Sequence, residues 1–233
     1  MADTIAIVGK SGTGKSTSIG NIPELGIKGL NPKETAIINV AGKNLPFKGW
    51  KKNYTEKIQT GGNYFEGSDS KTIVKIINYI SEERKNIKQL VIDDGQFIMA
   101  FEFMARASEP GYTKFADIGV HMGDILSSCK KARQDLKIFF LWHPELDNTS
   151  KEFKMKTVGA MIDNYLTLEG LFTVILYTKV TKSSESNKME YNFVTNNDGE
   201  LPAKSPIGMF DSLLINNDLA EVIKCIDLYN NEE

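Results

Sequence analysis

Eight residues near the start of the chain, Gly9-Lys-Ser-Gly-Thr-Gly-Lys-Ser16, set three glycines around two lysines and end in a hydroxyl. Glycine at this density opposes regular helix or strand and lets successive backbone N–H groups turn inward, where they meet anions. The run matches G-x-x-x-x-G-K-[ST], the phosphate-binding loop, which requires a strand before it and a helix after it. Thr4-Ile-Ala-Ile-Val8 is a β-branched apolar run suited to a strand buried on both faces. Residues 15–22 are expected to form the helix, with Pro23 stopping it and its N-terminus favouring an anion. In this pattern Gly9, Lys10, Ser11, Gly12, Thr13 and Gly14 build the cradle. Lys15 reaches the β- and γ-phosphates, Ser16 ligates Mg²⁺ and Thr17 approaches the α-phosphate.

Strands and helices then alternate. Residues 36–40 read as a second strand, 90–94 as a third, 137–142 as a fourth and 171–177 as a fifth. Ile73, Ile76, Ile77 and Ile80 fall on one helical face, with Ser68 or Asp69 as the N-cap. Helices are also expected around Phe97–Met104 and from Ile118 to Cys129, with a further helical segment within 157–168. The alternation predicts an α/β fold whose mainly parallel sheet is flanked by helices. The end departs from it: residues 177–180 and 189–195 read as strands of an antiparallel C-terminal hairpin spanning 177–196, and Asp218 with Glu221 signals a last helix. One domain over residues 1–233 is expected, with an irregular excursion at 41–67.

Leu90-Val-Ile-Asp-Asp94 is an apolar strand ending in acid, which brings a carboxylate to the sheet edge beside the loop. Asp93 is the expected second metal ligand. Asp94 polarises the attacking water or merely caps a helix, and Glu102 is the alternative base. If the strand ending at His143 lies between those carrying the loop and Asp93, His143 faces the γ-phosphate as a sensor, or is only hydrogen-bonded at a strand end. His121 reads as structural. Phe47, Trp50, Lys48, Lys51 and Lys52 interleave rings and ammonium groups as single-strand binding surfaces do, and Lys151, Lys154 and Lys156 would extend a basic groove. Each patch taken alone reads more simply as packing plus solvated charge.

Composition narrows the chemistry. The formal net charge of -2 leaves nucleic-acid contact to local patches. Cys129 and Cys225 stand alone, and with two histidines they make no local zinc pattern. No apolar run reaches the ~18 residues of a membrane span, and no leader precedes the first strand, so an untargeted cytoplasmic protein is expected. A guanine-reading N-K-x-D pattern is missing, so guanine specificity is unsupported. Only Arg84, Arg106 and Arg133 are arginines, a poor supply for an arginine-rich kinase lid.

The whole pattern resembles a family of bacteriophage RecA-like P-loop ATPases that accompany single-strand annealing functions. The likeness rests on residues 9–16, Ala41-Gly-Lys-Asn-Leu-Pro-Phe47, Val91-Ile-Asp-Asp-Gly-Gln-Phe97, Phe140-Leu-Trp-His143, Lys156-Thr-Val-Gly159, Glu169-Gly-Leu-Phe-Thr173 and Ala203-Lys-Ser-Pro206. The resemblance implies a RecA-like core that takes ATP and Mg²⁺, acts on single-stranded DNA with an annealing or binding protein as partner, and assembles into homo-oligomers in the host cytoplasm. In such assemblies a neighbouring subunit supplies a cation to the γ-phosphate. Lys204 is the candidate here, with Arg106 and Arg133 as competitors. A nucleotide-gated assembly protein with little turnover, and a nucleoside or nucleotide kinase, remain the alternatives.

Overall fold

The computed structural model describes residues 2–55, 58, 61–147, 150–163, 166–183 and 187–231, without the side chains of 160 and 161. In chain order its elements are β1 (Asp3–Val8), β2 (Thr35–Asn39), α1 (Trp50–Asn53), β3 (Tyr64–Glu66), α2 (Ser70–Glu83), β4 (Gln89–Asp93), α3 (Gln96–Ala105) and α4 (Thr113–Lys131). There follow β5 (Lys137–Trp142), β6 (Pro144–Leu146), β7 (Phe153–Met155), α5 (Ala160–Asp163), β8 (Val174–Lys182), β9 (Met189–Val194), β10 (Leu214–Asn216) and α6 (Leu219–Asn231). Eight strands form one sheet in the order β10-β9-β8-β1-β5-β4-β2-β3, and β6 and β7 make a separate antiparallel pair.

The apolar runs behave as parallel strands buried on both faces. Within β1, Ile5 and Ile7 point into one cluster with Phe139, Leu141 and Val222 of α6, while Ala6 and Val8 point into another with Phe140, Ile77 of α2 and Ile125 of α4. Both sides of each central strand are thus covered, which is why the sequence reads as unbroken hydrophobic runs rather than alternation. β1 pairs in parallel with β5 and β8, and β5 with β4, so β5 stands between the loop strand and the acidic strand as expected. This is an α/β fold with a mostly parallel sheet.

The structure revises several boundaries. The fifth strand and the first arm of the hairpin are one nine-residue strand, β8, parallel to β1 on one side and antiparallel to β9 on the other; residues 184–186 of the connection lie outside the described residues. The irregular stretch 41–67 contains α1 and β3, which adds a parallel strand beyond β2; residues 56, 57, 59 and 60 lie outside the described residues. The helical segment at 157–168 shortens to α5, with a 3-10 turn at Leu168–Leu171, and residues 164 and 165 lie outside the described residues. α2 is capped by Asp69, whose carboxylate accepts from the Thr72 N–H.

The helix expected after the loop is the main correction. Residues 16–19 form only a 3-10 turn, and at Gly20 the backbone becomes extended, with φ -83 and ψ 154. The Phe47 ring packs on Gly20 so closely that a Cβ there would lie 2.3 Å from it, so only glycine fits at this position. A four-residue turn contributes little dipole to its N-terminus.

Opposite signs are expected for two glycine replacements in denaturant unfolding. Gly20→Ala should destabilise by about 2 kcal/mol through the Phe47 clash. Gly119→Ala, in open space on α4, should stabilise by about 0.5–1 kcal/mol.

Candidate functional site

A cavity of about 710 Å³ opens at the C-terminal ends of the parallel strands, the edge where open α/β sheets place ligands. Ser11, Gly12, Gly14, Lys15, Ser16 and Thr17 line one side. Gly12 and Gly14 adopt left-handed backbone, φ 78 and 95, which side-chain-bearing residues rarely tolerate. Gly9, Lys10 and Thr13 build the loop from behind instead. A Cβ on Gly9 would meet the Thr178 hydroxyl at 1.8 Å, Thr178 donates to the Thr13 hydroxyl at 2.6 Å, and Thr13 donates to the Lys10 carbonyl at 2.7 Å. The Lys10 ammonium lies over the Phe153 ring.

The Lys15 ammonium donates to the Gly9 carbonyl at 2.7 Å and the Lys10 carbonyl at 3.0 Å, beneath the loop. Burial lowers its pKa to about 8, against the opposing pull of Asp94 and Asp93. A phosphate at its tip would restore full charge to the ammonium.

Ser16 and Asp93 meet as expected of a metal pair: the Ser16 hydroxyl donates to Asp93 Oδ1 at 2.8 Å across 77 residues of sequence. Burial pushes the Asp93 carboxyl up to about 6, and the neighbouring Asp94 adds to that shift. A buried carboxylate and a hydroxyl side by side, at the foot of a glycine loop, form a hard oxygen donor set that suits Mg²⁺. The residues present therefore fit a metal-bound nucleoside triphosphate.

Asp94 follows in left-handed backbone, φ 59, and this turn aims its carboxylate between the ends of the two strands flanking β4. Oδ1 lies 3.2 Å from His143 Nε2 at the end of β5, and Oδ2 lies 2.5 Å from the Lys43 ammonium, just past β2. Burial alone would raise the Asp94 carboxyl, but the hydrogen bonds from His143 and Lys43 outweigh it and hold the pKa at about 2. So acidic a group takes a proton poorly at neutral pH, which suits it to accepting hydrogen bonds rather than to acting as a base.

Two candidate residues do not line this chain's own cavity, and one of them, Lys204, is expected to act from a neighbouring subunit. Glu102 is tied to Arg106 and to His121 Nδ1, at 3.2 and 2.8 Å, on the face of α3 that packs against α4, and it does not line the cavity. Two further helical turns beyond Asp94 carry it away from the strand ends. Lys204 donates to the Glu169 carbonyl at 2.6 Å, beside a backbone bridge between Lys204 and Ile175, and its ammonium is likewise committed outside the cavity. The competing arginines are also committed: Arg106 pairs with Glu102, Glu109 and Asp117, and Arg133 binds Asp135 and the carbonyls of Ile80 and Ile87. In the aromatic–lysine loop, Phe47 packs against Tyr54 and Trp50 against Tyr64, so both rings serve the core. Lys154 is surrounded by Glu145, Asp147 and Asp163.

The cavity's other wall was not anticipated. It comes from Glu24, Leu25 and Ile27, from Lys188 and Met189–Asn192 of β9, and from Asn216 and Asn217. Asn217 is fully buried, stands 3.0–3.2 Å from where a Cβ on Gly14 would be, and leaves Oδ1 without a hydrogen-bond partner among the described residues. Asp218 holds the 27–29 turn by accepting from the Lys28 and Gly29 N–H groups. Lys43 was the other omission, although it sits in the Ala41–Phe47 segment that carries part of the phage-family resemblance.

Fold and loop together define an α/β protein with a phosphate-loop motif at the end of its first strand. A solved KaiC-like protein from the hyperthermophilic archaeon Pyrococcus horikoshii is similar at 11% identity, over 84% of this chain and 80% of that one, with a TM-score of 0.46. No protein-family model and no curated protein matches the chain. Among the described residues no helix is long and apolar enough to cross a membrane.

The raised Asp93 value yields a signed pH effect. Because the folded state holds this proton more tightly than the unfolded chain does, ionising Asp93 costs stability as pH rises from about 4 to 6. In EDTA, Asp93→Asn should be close to wild type at pH 4. It should be more stable by on the order of 2 kcal/mol at pH 7, as read by urea unfolding at both pH values.

Proposed function

We propose that the chain is an Mg²⁺-dependent ATPase that couples ATP to single-stranded DNA binding or to self-assembly in phage DNA recombination or replication. The observation that carries the ATPase reading is the Ser16–Asp93 contact, which unites the loop and the acidic strand at one point. Lys15 would hold the β- and γ-phosphates, Thr17 the α-phosphate, and the loop N–H groups would supply the remaining donors. Ser16 and Asp93 would hold Mg²⁺, which neutralises charge on the phosphates when bound. Asp94 would orient the attacking water, with His143 fixing the carboxylate and reporting the state of the γ-phosphate.

Support for the DNA part is the family resemblance together with exposed lysines such as Lys48, Lys51 and Lys52. With Phe47 and Trp50 packed into the core, contact there would be made by charge and would weaken steeply with salt. A kinase finds less support, because all three arginines are committed to carbonyls and carboxylates outside the cavity.

Phosphate release measured with and without Mg²⁺ and single-stranded DNA tests the reading. Turnover should require Mg²⁺ and rise with DNA. Tight ATP binding without turnover would favour the assembly protein, and phosphate transfer to a nucleoside would favour the kinase. Lys15→Ala should abolish turnover, with a loss of at least about 100-fold. Asp94→Asn should keep ATP binding while slowing release by about 10- to 100-fold.

A further inference from the structure

The end of the cavity where the γ-phosphate would lie contains a cation with no assigned task. Lys43 reaches Asp94 Oδ2 at 2.5 Å, yet its own side chain is 64% exposed while that of Asp94 is 4% exposed. One end of this ion pair is therefore buried and fixed, and the other is free to move through solvent. The Lys43 backbone does not share that freedom. Its carbonyl accepts from the Asn39 side-chain amide, which also donates to the Tyr64 hydroxyl at 2.6 Å, and Gly42 beside it takes a left-handed turn against Glu66. A pinned backbone under a long, exposed side chain is a pivot.

We propose that Lys43 is the cation of this site, supplied by the chain itself, and that its ammonium passes from Asp94 to the terminal phosphate of a bound nucleoside triphosphate. The inference rests on the ATP reading above. Three features support it. Arg84, Arg106, Arg133 and Lys204 are all held by groups outside the cavity; of the three lysines that line it, Lys15, Lys43 and Lys188, the first two stand beside Asp94 at its phosphate end. Asp94 keeps a second partner, His143, so it is not stranded when Lys43 departs. A terminal phosphate carries more negative charge than one shared carboxylate and offers more acceptor oxygens, so it competes effectively for the ammonium. A diphosphate lacks that group.

The exchange couples two events. Lys43 meets the phosphate oxygens on which charge develops, and Asp94 Oδ2 becomes free to accept a hydrogen bond from water. In the hydrolysis step, the water oxygen bonds to the γ-phosphorus as the bond from that phosphorus to the β,γ-bridging oxygen breaks. The electron pair of that bond leaves with ADP, and the water proton passes to solvent. Without a triphosphate Lys43 blocks Asp94, so the water-orienting group is uncovered only when there is a γ-phosphate to hydrolyse.

The test compares Kd for ADP and for the slowly hydrolysed analogue ATPγS, by competition against a fluorescent ADP, in wild type, Lys43→Met, Lys43→Arg and Asp94→Asn, with ATP turnover measured alongside. Lys43→Met should weaken ATPγS about tenfold relative to ADP, lower kcat by at least about tenfold and leave ADP affinity within about twofold. Lys43→Arg should recover most of the preference. Asp94→Asn, which removes the competing carboxylate, should strengthen the preference for ATPγS. A ratio unchanged in Lys43→Met, whatever happens to its melting temperature, overturns the proposal, as does a parallel loss for both nucleotides. Wild type binding neither nucleotide overturns the ATP reading, and this inference with it; wild type binding both with an insensitive ratio overturns the inference alone.

Discussion

The hydrogen bond from Ser16 to Asp93 joins the two halves of the site at a place where a carboxylate is expensive to keep. Asp93 is almost fully buried, and an unpaired charge in such surroundings costs several kcal/mol. The fold accepts that cost because β5 spaces β1 from β4 so that the loop hydroxyl and the acid converge at the strand ends. Everything else at the site depends on that convergence. The left-handed turn at Asp94 continues from it, and the neighbouring strands supply His143 from one side and Lys43 from the other. The burial that makes Asp93 a poor contributor to stability is also what would make it a strong metal ligand under the proposed function, so stability and that role would pull in opposite directions at this residue.

A second theme is the economy of cations. The three arginines all serve as structural clamps, closing loops by donating to backbone carbonyls or carboxylates. That leaves lysine to meet phosphate charge. Lysine is a compact charge on a flexible stem, suited to exchanging partners, whereas a guanidinium in a bidentate pair is suited to staying put. Lys15 is buried under the loop and Lys43 reaches in from solvent, so the two would play different parts on the proposed ligand.

The strands, the phosphate loop, Asp93 and His143 were legible in the sequence because each depends on short-range pattern: an apolar run, a glycine spacing, an acid or a histidine where the run stops. Glu102 was misplaced because helical phase after Asp94 sends it toward Arg106 and His121 rather than toward the strand ends. Nothing local announces that the Lys204 ammonium is held within its own chain by the Glu169 carbonyl, 35 residues away. The close approach of Phe47 to Gly20, 27 residues apart, is a contact of the same kind.

By itself, the sequence determined that this protein has a glycine cradle for phosphate, a sheet of strands buried on both faces and an acid aimed at the cradle. Backbone conformation and burial follow from neighbouring residues, so pattern alone suffices for those. Only the tertiary structure decided which charges face one another. Lys43 with Asp94, Asn217 against Gly14 and Asp218 under the 27–29 turn are contacts between segments far apart in the chain, brought together by strand order and by the return of the C-terminal hairpin to the loop. Ion pairing depends on distance in space, and one-dimensional spacing carries no information about it until the sheet has closed.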